Sequence, residues 1–344
     1  MGLSPESPLL PVADSHNDLL MACMHRRERG ASDPFGDDWL PGLRAGGVVF
    51  QVLPVFTEEQ FVGEAALRRT LEIVALAREI AVVHRHDVAI AERSADIAPV
   101  IASGRIALLI AIEGAEPVGS SISMFETLHR LGVRMASLTW NRRTMLADGI
   151  AESGTGGRLS SLGVEAVAEM ERLGMVVDIS HLSAAGVDHL AEVATRPFVA
   201  SHSSCRALCD HPRNLTDDQI RLVARSGGFV AVNAFGAFVS GAAPTIDRFV
   251  DHIEHAAAIA GEGRVAIGAD FIEDLIRMVD PVLGRQLLVD PADLSFIDDL
   301  KAPSDYANLS GCLVERFGPA RATRFASANM LDFFRANLPP ATKP

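Results

Sequence analysis

The chain has 344 residues, 48% of them hydrophobic, which is enough for one large domain or two medium ones with a sizeable core. Lysine and arginine number 31 against 44 acidic residues, and the net charge of −13 argues against nucleic acid or an anionic membrane as a partner. The first residues show no basic, apolar leader and no apolar run is long enough to cross a bilayer, so we expect a cytoplasmic protein.

Apolar and amphipathic segments alternate along most of the chain. The apolar segments are short and rich in Val, Ile, Leu and Ala, as buried parallel strands are. They predict about eight strands, at residues 9–16, 47–55, 105–113, 133–140, 174–181, 196–203, 228–235 and 264–271. The amphipathic segments repeat apolar residues at spacings of three and four, which predicts helices at 63–86, 121–132, 160–173, 184–194, 216–226 and 246–260.

This alternation predicts an α/β fold, a (β/α)8 TIM-like barrel in which a parallel sheet closes on itself. An open doubly wound sheet is the alternative, but no glycine-rich phosphate loop follows the first strand. We expect a single barrel domain over 1–344, with two or three extra helices at 304–337. Residues 272–303 are rich in proline and aspartate and are expected to form an active-site loop with some local helix.

Residues that can bind metal ions stand at the C-terminal ends of four predicted strands. They are His16, Asp18, Glu113, His181 and His202. The C-terminal strand ends of a barrel meet at one face, where barrel enzymes have their active sites. His16 and Asp18 are two residues apart on an extended segment, so their side chains point to the same side. One histidine alone would more often be a core or capping residue, but five convergent ligands favour a metal site.

Glu113 follows the apolar run RIALLIAI. A carboxylate that enters a barrel interior carries a large desolvation cost unless it is paired or metal-bound. Its two oxygens can bridge two cations, and neutral imidazoles can complete the coordination. Three histidines, one aspartate and one glutamate suit two zinc ions roughly 3.5–4 Å apart, although manganese, iron or cobalt accept the same ligands.

The four cysteines are too few for a disulfide scaffold in a chain of this length. Cys205 and Cys209 lie four residues apart near His202, a spacing that would suit a metal pair. Small buried thiols on a short helical turn are the favoured interpretation, and the five ligands above need no thiolate.

Five segments carry a resemblance to a known family. They read DSHNDLL at 14–20, AIEGAEP at 111–117, MVVDISHLS at 175–183, ASHSSCRALCDHPRNLTDDQI at 200–220 and AIGADF at 266–271. In this order they resemble the membrane (renal-type) dipeptidases, peptidase family M19 of the amidohydrolase superfamily. The resemblance covers most of the chain. It implies a metallo-dipeptidase that hydrolyses dipeptides with a free C-terminal carboxylate, and it suggests a homodimer.

The same resemblance implies the metal arrangement. Two zinc ions would share Glu113, with His16 and Asp18 completing one site and His181 and His202 the other. A hydroxide that bridges the two metals would then attack the amide carbonyl.

Two further residues match the family's functional positions. Arg213 matches the arginine that binds the substrate carboxylate, a contact that suits the guanidinium fork. Without the resemblance, Arg213 would be interpreted as a surface residue before a helix. Asp270 matches the acid/base aspartate that takes a proton from water and delivers it to the leaving amine. Its alternative role is that of a loop-capping carboxylate.

The substrate-facing positions depart from the family's pattern. The fourth strand ends in LTWN, where the renal-type sequence has Leu-Thr-His and that histidine polarises the scissile carbonyl. Trp140 holds its position, and both Trp140 and Asn141 are candidate substrate contacts, although neighbours on a strand face opposite ways. The residues after Asp270 also differ, and VNAFGAF at 232–238 lacks a tyrosine that lines the renal-type pocket.

Two alternatives to a dipeptidase stay open. An amidohydrolase of the same fold would act on a modified peptide, an N-acyl amino acid or a cyclic amide, and the change at Trp140 favours it. A non-catalytic metal-bound scaffold is the other alternative, and Asp270 argues against it because a scaffold needs no proton shuttle. Arg213 favours a small-molecule substrate with a free carboxylate.

Overall fold

The computed structural model describes residues 9–241, 243–273, 275–276 and 294–340. Its described strands are short, parallel and nine in number. They are Val12–Asp14 (β1), Val48–Phe56 (β2), Val88–Ile90 (β3), Ile106–Glu113 (β4), Val133–Ser137 (β5), Val176–Asp178 (β6), Phe198–Val199 (β7), Val230–Val232 (β8) and Val265–Ile267 (β9).

Eight of these strands close into a barrel. Their order in the sheet is β7-β6-β5-β4-β2-β1-β9-β8, and a parallel bridge between Ala200 and Val230 joins the two ends. β3 lies outside the ring and pairs with the first half of one edge of β4, while β5 pairs with the second half. The predicted (β/α)8 barrel is therefore confirmed, with β3 as an unpredicted ninth strand.

The pleat of β4 brings a charged residue to the barrel interior. Ala107, Leu109 and Ala111 belong to the cluster that fills the interior together with Phe50 of β2. Side chains alternate along a strand, so Glu113 is the next residue on that face. All eight residues of β4 are buried. The same alternation that builds the core thus leaves one carboxylate at its upper end.

Helices surround the barrel. The first ten are Leu19–Glu28 (α1), Leu40–Ala45 (α2), Glu64–Val83 (α3), Ser94–Ala102 (α4), Met124–Arg130 (α5), Ser161–Leu173 (α6), Ala184–Val193 (α7), Asp217–Ser226 (α8), Gly236–Val239 (α9) and Ile246–Ala260 (α10). Three follow at the C-terminal end: Tyr306–Phe317 (α11), Pro319–Thr323 (α12) and Asn329–Asn337 (α13). Short 3₁₀ segments cover Ile150–Thr155, Glu262–Arg264 and Pro303–Asp305, and π segments cover Phe35–Trp39 and Arg324–Ala328.

The helix ends follow local sequence signals. Thr216 caps α8 by accepting a hydrogen bond from the backbone of Gln219, whose side chain returns to the Thr216 backbone. Gly174 and Gly227 end α6 and α8 with φ angles of 74° and 94°, which glycine adopts without steric strain. Local sequence thus sets where α8 begins and where both helices end.

The C-terminal helix closes one mouth of the barrel. On α13, Phe334 packs 5.2 Å from the Phe50 ring and Phe333 packs 5.0 Å from the Phe229 ring, measured between ring centroids. Phe50 lies near the start of β2, and Phe229 directly precedes β8. This plug therefore covers the N-terminal ends of the strands, and the opposite mouth is left for a site.

Six predicted strands are too long at their C-terminal ends, and the three histidine ligands lie in the loops that follow three of them, β1, β6 and β7. The cause is visible beside β6. The Asp178 Oδ1 atom accepts the backbone N–H groups of Ser180, at 3.0 Å, and of Ser201, at 2.9 Å. The Asp178 side chain thus binds the backbone N–H groups that would otherwise continue the hydrogen bonding between strands.

Sequence periodicity also missed four of the described helices, α1, α2, α4 and the four-residue α9. Six consecutive residues of α1, from Leu19 to Met24, are buried, so its sequence shows no amphipathic repeat. The predicted helices of the C-terminal tail are present as α11, α12 and α13. Most of the predicted loop at 272–303 lies outside the described residues. Among the described helices, none combines the length and apolar character that a membrane span requires.

Gly228 lies where β7 and β8 meet, and a Cβ there would lie 1.7 Å from the Phe198 carbonyl oxygen. We expect Gly228→Ala to lower the free energy of unfolding by about 1–3 kcal/mol, as overpacking does, and to lower the thermal midpoint measured by circular dichroism. Gly154→Ala is the matched control, because nothing lies within 4 Å of its added Cβ. Equal midpoints for the two variants would contradict this expectation.

Candidate metal centre

The barrel brings the five predicted metal ligands together at its C-terminal mouth. His16 and Asp18 lie between β1 and α1. Glu113 is the last residue of β4, and the other two histidines follow β6 and β7. All five are buried, with exposures between 1% for His202 and 9% for Asp18.

Glu113 is the centre of this arrangement. Its Oε1 atom lies 2.9 Å from His181 Nε2 and 3.5 Å from His202 Nε2. Its Oε2 atom lies 3.5 Å from His16 Nε2. The two carboxylate oxygens therefore face different imidazoles, as a carboxylate shared by two cations requires.

A second group of ligand atoms lies near the same His16 nitrogen. The His16 Nε2 atom lies 3.8 Å from Asp18 Oδ1 and 3.8 Å from Asp270 Oδ1. Asp270, predicted as the acid/base residue, thus lies beside the ligands. The Asn233 amide nitrogen donates to Asp270 Oδ2 at 2.8 Å and holds the carboxylate in place.

The donor set fits divalent cations. His16 Nε2 and Asp18 Oδ1 are buried without a hydrogen-bond partner, which is costly unless another group satisfies them. Two sets of ligand atoms lie within 4.8 Å of one another, His16 with Glu113 and His202, and His16 with Asp18 and Asp270. The Nε2 atoms of His181 and His202 also face each other at 2.9 Å. Metal ions bind to converging nitrogen lone pairs and carboxylates of this kind.

Hydrogen bonds on the outer side of two histidines select their tautomers. His181 Nδ1 lies 2.8 Å from Asn141 Oδ1, an atom that only accepts. His202 Nδ1 lies 2.8 Å from Ser201 Oγ, which itself donates to Asp178 Oδ2. In both cases Nδ1 carries the proton, so the Nε2 lone pair is directed to the cluster.

Charges and burial act against each other in the cluster. Burial opposes the protonation of His16, but the carboxylates of Glu113, Asp270 and Asp18 prevail and raise its pKa to about 10. Burial likewise opposes the ionisation of Glu113, but His16 and His181 hold its pKa below the usual range. Glu113 is therefore a carboxylate in the folded chain.

The pKa values of the remaining groups in the cluster shift in the opposite sense. Burial, followed by the charge of Glu113, raises the pKa of Asp18, and burial also raises the pKa of Asp270. Burial and the nearby Arg213 guanidinium lower the pKa of His181 to about 3. Burial and His16 lower the pKa of His202. These two imidazoles are thus neutral, the form that binds a metal.

Backbone strain is confined to two residues of this cluster among the described non-glycine residues. His181 has a φ of 71° and Asp270 a φ of 58°, both in the left-handed region. Such conformations cost on the order of 1–3 kcal/mol and persist where the surroundings enforce them. They direct both side chains inward from loops.

A cavity of about 530 Å³, open to solvent, lies above the cluster. Its polar lining includes Arg213, whose Nη2 atom lies 3.0 Å from His181 Nε2 and 3.3 Å from the His202 carbonyl oxygen. The described apolar residues of the lining are Phe56, Trp140, Phe235, Phe238, Ile272 and Leu275.

Trp140 and Asn141 both line this cavity, so the expectation that they face opposite ways is wrong. The strand β5 ends at Ser137, and the alternation rule no longer holds beyond it. The Trp140 ring lies 4.8 Å from the Phe56 ring and 5.6 Å from the His181 ring.

The two neighbouring cysteines stand apart from the centre. The Cys205 thiol donates to the His252 carbonyl oxygen and the Cys209 thiol to the Ala237 carbonyl oxygen. Neither belongs to a ligand group among the described residues. Cys205 is buried as expected, and Cys209 is partly exposed.

Sequence reasoning missed the residues that support the ligands. Ser201 and Asn233 each orient a functional side chain through a hydrogen bond, and Asp178 accepts a hydrogen bond from Ser201. Asp178 and Asn233 are polar residues at the ends of apolar runs, VVD and VAVN, which is the same signal that identified the ligands. Applied to every polar residue at a strand end, it would have found both.

The fold and the ligand set together define a metal-dependent hydrolase of the barrel type. A family model described as membrane dipeptidase (peptidase family M19) matches residues 8–289. An uncharacterised dipeptidase of Schizosaccharomyces pombe is 35% identical over 285 residues, which are 76% of this chain and 68% of that protein. The chain therefore belongs to the membrane dipeptidase family, peptidase family M19, and the predicted family is confirmed.

Further relatives and solved structures agree. Dipeptidase verJ of Clonostachys rogersoniana is 34% identical over 207 residues, or 60% of this chain, and the match spans about half, 53%, of that relative. The structure of dipeptidase AC, a metallopeptidase of family M19, has a TM-score of 0.84 at 22% identity and covers 96% of this chain and 99% of its own.

A metallopeptidase from Rhodobacter sphaeroides, liganded with a phosphinate mimic of L-Ala-D-Ala, has a TM-score of 0.83 at 21% identity, covering 96% and 100% of the two chains. At these identities the two structures establish the shared fold. Family membership adds metal dependence, which agrees with the donor set described above.

Metal removal is expected to destabilise the folded chain. A cation that binds only the folded state contributes about 4 kcal/mol at a thousandfold excess over its Kd, so chelation should lower the thermal midpoint. Glu113→Gln should lose most of this cation-dependent change. Glu116→Gln, outside both ligand groups, should keep it. The same response from both variants in scanning calorimetry would count against the assignment of Glu113.

Proposed function

We propose that this chain is a zinc-dependent dipeptidase acting on dipeptides with a free C-terminal carboxylate. The observation that carries the proposal is the presence of Arg213 in the same cavity as the ligand cluster and Asp270. A cation for a carboxylate, a metal centre and a titratable acid are the three elements that hydrolysis of such a substrate needs.

Two zinc ions would be held by the predicted ligands, with Glu113 shared between them. His16 and Asp18 would complete one site, and the imidazoles of His181 and His202 the other. When bound, such a pair lowers the pKa of a shared water and supplies hydroxide near neutral pH. The two oxygens of Glu113, which face different imidazoles, support this division.

Asp270 would hold and move the proton. Its Oδ1 atom points to the cluster, 3.8 Å from His16 Nε2, while Oδ2 is held by Asn233. Burial raises its pKa. A raised pKa helps a carboxylate to hold a proton taken from water and then to donate it to the leaving amine.

Arg213 would bind the substrate carboxylate. The guanidinium is 5% exposed, and no described carboxylate lies within ion-pair distance of it. The three carboxylates of the cavity are outweighed by two divalent cations and Arg213, so the loaded site would be net positive. An anionic substrate is favoured on both grounds.

N-acyl amino acids are the second candidate substrates. Every described acid that lines the cavity belongs to the ligand cluster, namely Asp18, Glu113 and Asp270. No separate carboxylate of the described lining is thus available for a substrate ammonium group. A neutral acyl group would suit the apolar side of the cavity equally well.

The proposal predicts zinc-dependent release of amino acids from dipeptides. The assay compares the zinc-loaded chain and its Asp270→Asn variant on Ala-Ala, Ala-D-Ala, Ala-Leu and N-acetyl-leucine by liquid chromatography. Asp270→Asn should lower kcat by about 10²–10⁴-fold, the usual contribution of a general acid–base group. No turnover of any dipeptide despite bound zinc would refute the dipeptidase, and cleavage of N-acetyl-leucine alone would establish the second candidate.

Arg213 and the substrate carboxylate are expected to be energetically coupled. Replacing the dipeptide by its C-terminal amide should reduce kcat/KM for the wild-type chain by 10-fold or more, as loss of a charge-assisted hydrogen bond does. Arg213→Met should respond little to the same replacement, since its partner is already missing. A double-mutant-type cycle measures this coupling. Equal losses with Met or Arg at 213 would exclude a direct contact.

A further inference from the structure

Part of the apolar lining of the cavity lies directly beside the proposed carboxylate anchor. We infer that the site selects substrates whose C-terminal residue has an apolar side chain, and that Phe238 with Phe235 forms the wall that receives it. This inference rests on the proposed function, because it takes Arg213 as the anchor for the carboxylate of that residue.

The geometry around Arg213 supports the assignment. The guanidinium carbon lies 5.7 Å from the centroid of the Phe238 ring, and the Phe235 ring packs edge-on at 4.9 Å from Phe238. In an amino acid the carboxylate and the side chain leave the same Cα atom. A carboxylate bound by Arg213 therefore places its own side chain within reach of these two rings.

The described part of the lining disfavours charged side chains at this position. Among the described residues of the cavity, the charged ones are the cluster residues and Arg213, and the lining that continues from Phe238 includes Ile272 and Leu275. An acidic or basic side chain placed there would be desolvated without a partner. An apolar side chain would instead remove apolar surface from water on both molecules.

The wall is held in place before any substrate binds. The Phe238 ring packs 4.5 Å from the His211 ring, and Phe235 packs 5.6 Å from Phe296, with which it also forms an antiparallel bridge. The Asn233 side chain accepts the backbone N–H of Phe235 at 2.6 Å. A wall fixed by these contacts selects by shape, because it does not rearrange around a different side chain.

A second aromatic wall lines the same cavity. Trp140 packs against Phe56 and His181, whereas Phe238 packs against His211 and Phe235. The proposal therefore assigns the Trp140 wall to the N-terminal or acyl part of the substrate. Changes at Phe238 should therefore alter the preference for the C-terminal residue and leave the preference for the N-terminal residue unchanged.

The first arm of the test is kinetic. For the zinc-loaded chain, kcat/KM for Ala-Leu should exceed that for Ala-Ala by about tenfold or more, while Ala-Asp and Ala-Lys should fall below Ala-Ala. Phe238→Ala should bring the Ala-Leu to Ala-Ala ratio close to one and leave the Leu-Ala to Ala-Ala ratio unchanged. Phe238→Leu keeps an apolar wall and should retain most of the preference, which controls for misfolding.

Phe317→Ala is the matched control. Phe317 is 8% exposed and Phe238 is 7% exposed, so both substitutions remove a buried ring. Phe317 packs against Phe325 and Arg321, remote from the residues that line the cavity. Both substrate ratios should stay at their wild-type values in this variant.

The second arm measures binding and does not depend on turnover. Phosphinate dipeptide mimics that end in Leu, Ala or Asp are titrated into the zinc-loaded chain by calorimetry. Tighter binding of the Leu mimic, lost in Phe238→Ala, supports the inference even if no dipeptide is cleaved, a result that would refute only the proposed function. Turnover without an apolar preference, or a preference that survives Phe238→Ala, overturns the inference and leaves the dipeptidase intact. Absence of both turnover and binding overturns both.

Discussion

The architecture of the site depends on one buried carboxylate. Glu113 ends the longest apolar ladder of the barrel and lies on its interior face, where an isolated charge is costly. Protonated His16 compensates that charge, and the neutral imidazoles of His181 and His202 face the same carboxylate from two other loops. The barrel must therefore close for Glu113 to be ionised at acceptable cost, and the same closure creates the donor set of a metal centre. Glu113 therefore matters both for the stability of the fold and for the candidate metal centre.

Support for the ligands extends outward through neutral and charged hydrogen-bond partners. Asn141 orients His181, and Ser201 with Asp178 orients His202, so both imidazoles present Nε2 to the cluster. The backbone of His181 and Asp270 is left-handed, and this conformation directs both side chains inward from loops beyond the strand ends. The cavity above combines Arg213 with apolar residues, and Phe238 lies directly beside that guanidinium. The substrate preference proposed for this chain depends on that contact.

The sequence alone was enough to predict the barrel, the eight strands that form it and the five candidate ligands, because these depend on local patterns. Apolar runs followed by His, Asp or Glu are visible without coordinates. It missed α1 because a fully buried helix has no amphipathic repeat, and it extended strands into the ligand loops because Asp178 ends the ladder through side-chain hydrogen bonds. The alternation rule failed at Trp140 and Asn141 because both residues lie beyond the end of β5 at Ser137.

By itself, the sequence determined the fold class, the family and the chemical identity of the candidate ligands, since each is written in short segments. Only the tertiary structure decided which groups meet. Glu113 lies between His16 and His181, Asn141 lies behind His181, and Phe238 lies beside Arg213. These contacts join loops that are far apart in the chain, and their distances depend on the closure of the barrel. Local patterns specify what each strand end carries, whereas closure specifies its neighbours.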